Sequence, residues 1–229
     1  MSAEIAMRTH LRQIDSVNPM LIPPITIIGC GATGSVAGVL CGKMGAQMMH
    51  LWDGDTIEEH NISNQMFPNE HLGRNKAEAL KEEIVRYSPS LMMPMITAHD
   101  KMFEEGDVAG TPIVFLLVDG QDNRKLVFEE LLKDEIVEHI IETKVALEYF
   151  EVWYINPKDR KDVEAYRESL EGETMEEVCT NRTVIYTIGS VAGKAVSIVK
   201  KIMHGEPVPK RQTEDLRNYS PNLRVWRWD

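Results

Sequence analysis

A glycine-rich turn is the feature of this sequence that most constrains its fold. Three glycines spell G-x-G-x-x-G between the β-branched run in PPITIIG at 23–29 and a small-residue stretch with helical spacing, ATGSVAGVLCGKMG at 32–45, in which Gly45 is a predicted helix stop. In such a turn the first glycine permits a tight bend, the second lets phosphate approach the backbone, and the third permits close helix packing. The flanking strand and helix predict a nucleotide site at the helix N-terminus. Its predicted lining residues are Gly29, Gly31, Ala32, Thr33 and Gly34.

Strand-like and helix-like segments alternate from this turn to about residue 145. This rhythm predicts a parallel sheet with helices on both faces. The rest of the chain suggests an antiparallel strand, a helix, a long buried helix, and a final edge strand in the tail at 220–229. We therefore expect an α/β, Rossmann-like, doubly wound and mostly parallel sheet with antiparallel C-terminal strands.

The bulk composition favours one domain over 1–229, because 43% of the residues are hydrophobic and no linker interrupts them. We divide it into an N-terminal helical arm at 1–22, a nucleotide-binding core at 23–145, and C-terminal strands, long helix and tail at 146–229. The formal net charge of −11 argues against binding nucleic acid or an anionic membrane over a broad face. Without a visible signal peptide or membrane span, and with three cysteines that form no CxxC pair, we expect a cytoplasmic protein without structural zinc.

A polar stretch, WDGDTIEEHNISNQ at 52–65, follows the second predicted strand. Asp53 ends that strand 22 residues after Gly31, where a carboxylate can accept hydrogen bonds from ribose hydroxyls. The amide side chains further along can donate to phosphate oxygens without adding charge, although an asparagine-rich turn is the alternative. The predicted nucleotide ligands here are Asp53, Asp55, Asn61, Asn64 and Gln65.

Two cations, Arg74 and Lys76, stand at the predicted start of the next helix. The helix dipole disfavours cations there, so a polyphosphate lying opposite would explain them; a solvated surface pair is the alternative. Asp122, with Asp119 nearby, follows the buried strand at the edge where open α/β sheets bind ligands. The Asp122 carboxylate is predicted to hold Mg²⁺, to cap the helix that begins there, or both.

Four motifs in this order, IIGCGATGS, WDGDTIEEHNISNQ, LGRNKAEAL and VDGQDNRKL, resemble the ThiF/MoeB superfamily over about residues 8–205. These are ATP-dependent activating enzymes related to the ubiquitin-activating enzyme. The resemblance implies a homodimeric adenylyltransferase that uses ATP and Mg²⁺. Its implied substrate is the C-terminal carboxylate of a small ubiquitin-fold or sulfur-carrier protein.

The resemblance also implies a role for individual residues. It makes Asp53 the ribose-binding acid, Asn61 a phosphate ligand, Lys76 the lysine that steadies the triphosphate, and Asp122 the Mg²⁺-linked aspartate. Arg12, in a short LRQ motif, resembles an arginine that reaches into the partner subunit's site.

One position departs from the family pattern. The family's N-x-x-R-Q has an arginine that touches the phosphates, and this chain has Asn64 there. Loss of such a charge-assisted contact removes roughly 1.5–3 kcal/mol. Arg74 is a candidate source of the missing charge. The alternative is a nucleotide-binding or scaffold protein that has lost catalysis.

Cys179 lies where relatives carry a reactive cysteine before a buried helix. A helix N-terminus and Arg182 would favour its thiolate, which could accept the activated acyl group. An ordinary unreactive cysteine is the alternative, and Cys30 and Cys41 are predicted to be packing residues.

Two further expectations concern the dimer surface and the enzyme class. The apolar runs VFLL at 114–117 and VIYTI at 184–188, with the aromatic tail, are candidate dimer surfaces. An NAD(P)- or FAD-dependent oxidoreductase is the alternative enzyme on the same glycine motif, but it leaves Lys76 and the 52–65 stretch unexplained.

If Cys179 is a nucleophile, it should alkylate faster than Cys30 and Cys41, because its thiolate fraction would be larger near a helix start and Arg182. Brief iodoacetamide treatment followed by mass spectrometry measures the three rates, and the difference should not require ATP. Equal labelling of all three cysteines would remove the thioester step.

Overall fold

The computed structural model describes residues 8–89, 93–171 and 183–217. Its strands are β1 (Ile25–Ile28), β2 (Met48–Trp52), β3 (Met95–His99), β4 (Ile113–Leu116), β5 (His139–Ala146), β6 (Tyr149–Ile155) and β7 (Arg211–Asp215). They form one sheet in the order β3-β2-β1-β4-β5-β6-β7. The first five strands in this order pair in parallel. The β5–β6 and β6–β7 pairs are antiparallel. The predicted doubly wound, mostly parallel fold with antiparallel C-terminal strands is confirmed.

Helices cover both faces of the sheet. They are α1 (Ala32–Met44), α2 (Lys76–Tyr87), α3 (Gln121–Leu131), α4 (Arg160–Glu171) and α5 (Ile185–Met203). One apolar core joins α1, α2 and α5 to one face, and a second joins α3 and α4 to the other. The central strands β1 and β4 are buried at every residue, as expected for runs of β-branched and aromatic side chains with helices on both sides.

The last strand differs from the expectation. β7 has the polar sequence RQTED and pairs with β6, so it was not recognisable from apolar periodicity. A charged edge strand is physically reasonable because charges discourage pairing with other chains. The strand predicted in the tail at 220–229 lies outside the described residues.

The N-terminal arm contacts the carboxyl end of α1. Of the predicted helical arm at 1–22, the described part is helical at 8–9, continues as turns to 16 and has a short 3-10 helix at Pro19–Leu21. The Gln13 side chain donates to the Lys43 carbonyl at 3.1 Å, and His10 packs beside Gly45, where α1 ends in a left-handed conformation. The arm is thereby fixed at the end of α1 that is remote from the glycine turn.

Burial corrects one of the predicted dimer surfaces. The run at 114–117 lies inside the sheet and is buried, so its use as an intersubunit surface is wrong. The run at 184–188 instead starts α5 with three exposed apolar side chains, Val184, Ile185 and Tyr186. The aromatic tail lies outside the described residues.

Cys30 and Cys41 are both buried, as predicted for packing residues. Burial raises the pKa of the Cys41 thiol to about 12 and that of Cys30 well above its usual range. Among the helices that the structure describes, none combines the length and apolar character needed to cross a membrane.

A buried ion pair supports the end of β4, where the predicted site lies. The Arg124 Nε group donates to the Val118 carbonyl at 2.9 Å, and its Nη1 lies 3.1 Å from Glu142 Oε1. The side chains of Arg124 and Glu142 are only 6% and 0% exposed. Because a buried charge depends on its counter-charge, the turn after β4 depends on Glu142 in the neighbouring strand β5.

Glu142→Gln should lower the free energy of unfolding by about 3–5 kcal/mol, because it removes one charge of a buried ion pair. Glu129→Gln is a matched control that removes the exposed pair with Arg167, and it should cost at most about 1 kcal/mol. Urea unfolding of the two variants measures the difference. Equal losses would mean that the buried pair does not support the fold.

Candidate active site

In the glycine turn, two of the three glycines lie close to neighbouring backbone and the third borders open space. A Cβ on Gly29, whose φ is +95°, would lie 2.5 Å from the Leu117 carbonyl oxygen. A Cβ on Gly34 would lie 1.9 Å from the Gly29 carbonyl oxygen. A Cβ on Gly31 would meet nothing within 4 Å. Gly29 and Gly34 therefore let β1, β4 and α1 approach closely, while Gly31 borders free space.

That free space faces the N-terminus of α1. Gly31 is the N-cap, so the N–H groups of Ala32, Thr33 and Gly34 have no partner inside the helix. No acidic residue occupies the first turn. The unpaired N–H groups and the helix dipole together favour an anion at this position.

Asp53 ties the glycine turn to the end of β2. Its Oδ2 accepts from the Cys30 N–H at 2.7 Å, and its Oδ1 accepts from the Asp55 N–H at 2.9 Å. Burial raises the pKa of Asp53 above its ordinary value, although the charge of Lys76 opposes that shift. Each carboxylate oxygen keeps a further lone pair, so Asp53 can hold the turn and still accept from ribose hydroxyls.

Lys76 is the first residue of α2, and its Nζ donates to Asp55 Oδ2 at 2.8 Å. Burial lowers the pKa of Lys76, but the hydrogen bond to Asp55 and the nearby charges of Asp53 and Asp119 outweigh it. The pKa is therefore raised overall, and the ammonium is charged at neutral pH. Four predicted residues, Asp53, Asp55, Lys76 and Asp119, are thus brought into one electrostatic cluster.

Asn75 was missed by the sequence interpretation, and it joins the two halves of this cluster. Its Nδ2 donates to the Asp53 carbonyl at 2.7 Å and to the Asp55 carbonyl at 3.2 Å. Its Oδ1 accepts from the Glu78 N–H and caps α2. An asparagine directly before a predicted helix is a recognisable N-cap signal, but its contact with residues 53–55 is tertiary.

Ser35 was also missed, and no local signal marks it. Its buried hydroxyl donates to the Ala32 carbonyl at 3.1 Å and accepts from the Met66 N–H at 3.0 Å. This contact fixes the segment that carries Asn61, Asn64 and Gln65 against the start of α1.

The three predicted amides have different environments. Asn61 is buried, and its Oδ1 accepts from the Glu58 N–H at 2.9 Å; its Nδ2 makes no hydrogen bond among the described residues and remains a donor. Asn64 Nδ2 donates to the Thr183 hydroxyl at 3.3 Å, before α5. Within the described part of the chain, Asn64 Oδ1 and Gln65 Oε1 are buried without a partner. All three could take part in ligand binding, with Asn61 as the available donor.

Asp122 and Arg74, two charged residues predicted at the site, have contacts that differ from those expected. Asp122 is exposed as the second residue of α3, whose N-cap is Gly120 without a side-chain cap, so the capping role is wrong. Arg74 forms a two-pronged pair with Glu82, with Nη1 to Oε2 at 2.8 Å. Its guanidinium is therefore already paired with a carboxylate of α2.

Arg12 is not brought to the other predicted residues. It is exposed in the arm that contacts the carboxyl end of α1. A helix of 13 residues is about 20 Å long, so the arm lies roughly that far from the glycine turn of its own chain. Cys179 and Arg182 lie outside the described residues.

An open cavity of about 800 Å³ lies on the outer side of the polar stretch, lined by Ile57, Glu58, Glu59, His60, Leu72 and Gly73. Its two carboxylates make it a poor phosphate site, since like charges repel. The glycine turn with Lys76 is therefore the better nucleotide site.

The sheet topology and the glycine turn place the chain in the Rossmann-like α/β class. A family model described as the ThiF family matches residues 23–227, and the chain belongs to this family. The resemblance inferred from the four motifs is thereby confirmed.

Similar proteins agree with this assignment. Ubiquitin-like modifier-activating enzyme 5 of Arabidopsis thaliana is 27% identical over 73 residues, which is 32% of this chain and 17% of that protein. Crystal structures of E. coli MccB with succinimide and of selenomethionine PaaA have TM-scores of 0.70 and 0.71 at 16% and 17% identity. They cover 93% and 96% of this chain, and this chain covers 69% and 73% of theirs. E. coli MccB with ATP has a TM-score of 0.67 at 17% identity, covering 95% of this chain and 74% of its own. At these identities the likeness establishes the fold.

Gly34→Ala should lower the free energy of unfolding by about 2–3 kcal/mol, because its Cβ would overlap the Gly29 carbonyl. Gly31→Ala is the matched control, and it should stay within about 0.5 kcal/mol of the wild-type protein. Thermal or urea unfolding measures both. Two equally stable variants would show that the close approach at Gly34 is not required.

Proposed function

We propose that this protein is an ATP-dependent adenylyltransferase, formed as one domain, that activates the C-terminal carboxylate of a small ubiquitin-fold or sulfur-carrier protein. The observation that carries the proposal is the position of Lys76 beside Asp53 at the same sheet edge as the open glycine turn. A dinucleotide site needs the turn and the ribose acid but gives the lysine no role. Family membership and the name of the Arabidopsis relative support the same reaction class.

The reaction requires little proton transfer. A carboxylate is already ionised at neutral pH, so it can attack the α-phosphorus of ATP without a general base. The new bond joins a carboxylate oxygen to that phosphorus, and the bond to the bridging oxygen breaks as pyrophosphate leaves. The difficulty is charge, because an anion approaches a polyanion.

The residues present fit that task. The N–H groups of Ala32, Thr33 and Gly34 would bind phosphate oxygens, and Asn61 Nδ2 would add a neutral donor. Asp53 would fix the ribose. Lys76 would neutralise charge that moves toward the leaving pyrophosphate, where a fixed donor is most effective.

Mg²⁺, when bound, would supply additional charge neutralisation to the phosphates. Within the described residues, no group of three or more metal-binding side chains is preassembled. Mg²⁺ usually takes one or two carboxylates and fills its shell with phosphate and water. Asp122 and Asp119, exposed carboxylates after β4, are suited to that limited role.

Two more detailed parts of the proposal are a homodimer partner and a second chemical step after adenylation. A homodimer would let Arg12 act in the partner's site, and the exposed start of α5 offers apolar surface for pairing. Cys179 would accept the acyl group from the adenylate, with AMP leaving.

A second candidate function is nucleotide binding without catalysis. Asn64 replaces a phosphate-contacting arginine and is directed to Thr183, while Arg74 is engaged by Glu82. The site then has fewer cations to stabilise the charge of the transition state, although its contacts with bound nucleotide remain.

Calorimetric titration should show that ATP binds and that NAD⁺ binds more weakly. In ATP–pyrophosphate exchange with a small ubiquitin-fold protein ending in Gly-Gly, Lys76→Ala should reduce the rate about 100-fold and ATP affinity much less. Lys133→Ala removes an exposed lysine in the turn after α3 and should change neither quantity.

The outcomes separate the candidate functions. Tight NAD⁺ binding without ATP binding would favour an oxidoreductase. ATP binding without exchange for any such carrier would favour the nucleotide-binding candidate. Exchange that is unaffected by Lys76→Ala would remove Lys76 from the chemistry.

A further inference from the structure

Lys76 has a counter-ion within its own chain. Its Nζ donates to Asp55 Oδ2 at 2.8 Å, and the nearby Asp53, whose charge also acts on Lys76, accepts from the Cys30 N–H of the glycine turn. An ammonium held this closely interacts with an incoming phosphate only by sharing or leaving its carboxylate partner.

The charge around Lys76 is not balanced by this pair. Asp53, Asp55 and Asp119 all raise the pKa of the ammonium, so three carboxylates act on one cation. Phosphate that approaches Lys76 therefore competes with these carboxylates for the ammonium, although the N-terminus of α1 attracts it.

The two members of the pair differ in their freedom to move. The Lys76 side chain is 11% exposed, whereas that of Asp55 is 53% exposed. The Asp55 carboxylate can turn into water at low cost, but Lys76 cannot. The Asp55 backbone is held independently, because its carbonyl accepts from the Lys76 N–H at 2.9 Å and from the Asn75 side chain.

We propose that Asp55 is an exchangeable counter-ion and positioning residue: it pairs with the Lys76 ammonium and releases it to phosphate when nucleotide binds. This inference rests on the proposed function, since it takes nucleotide phosphates as the incoming anion. Asp55 thereby weakens binding of the phosphate chain without affecting the nucleoside. It sets the affinity for ATP relative to adenosine.

Calorimetry in EDTA tests this on the full chain, with ATP and adenosine as separate probes so that no metal contributes. Asp55→Asn should bind ATP about three- to tenfold more tightly than wild type, because it removes a competing charge near a solvent-exposed site. Its adenosine affinity should not change. Asp55→Glu keeps the carboxylate and should resemble wild type, as should Glu129→Gln, which breaks a pair remote from the site.

Each outcome decides the proposal. ATP binding by Asp55→Asn that is unchanged or weaker would overturn it while leaving the proposed function standing. An equal gain for adenosine would also overturn it, since the effect would not come from phosphate. If neither wild type nor Asp55→Asn binds ATP, both the inference and the proposed function fail. If only Asp55→Asn binds ATP, the inference is supported in its strongest form.

Discussion

The structure of the site depends on one carboxylate. Asp53 accepts hydrogen bonds from backbone N–H groups on two separate segments, the glycine turn and the turn after β2. Those contacts fix where α1 begins relative to residues 53–55, and Asn75 then carries the constraint on to α2. Because all three segments meet at Asp53, the positions of the unpaired helix N–H groups and of Lys76 are set by the same group. A buried carboxylate that receives two charge-assisted hydrogen bonds is a strong local constraint.

Much of the fold could be predicted from local pattern. The buried strands at 25–28 and 113–116 are short apolar runs between turn signals, and α1 ends at Gly45 where the sequence places a helix stop. β7 could not be found this way, because RQTED has no apolar face, and its backbone pairing and Arg211–Glu151 ion pair with β6 are tertiary contacts. The run at 114–117 belongs to the second of these buried strands, which is why it cannot also form a dimer surface.

The candidate site likewise contains residues that the local sequence predicts and residues that it does not. Asp53, Lys76 and the glycines are marked by their place at strand and helix ends, and the structure brings them together. The roles of Ser35 and Asn75 depend on contacts between segments 22 to 31 residues apart, so no local motif reveals them. The engagement of Arg74 by Glu82 is similarly invisible in sequence, because both charges suit a solvated helix surface.

The attachment of the N-terminal arm to the far end of α1 has a kinetic consequence. An arm held there is separated from its own glycine turn by the whole helix, so any contribution of Arg12 to chemistry would be made in another molecule. Specific activity would then depend on protein concentration and would fall on dilution below the dissociation constant of the pair. Mixing chains that each lack a different essential group would restore some activity by complementation. A site that is complete within one chain would show neither behaviour.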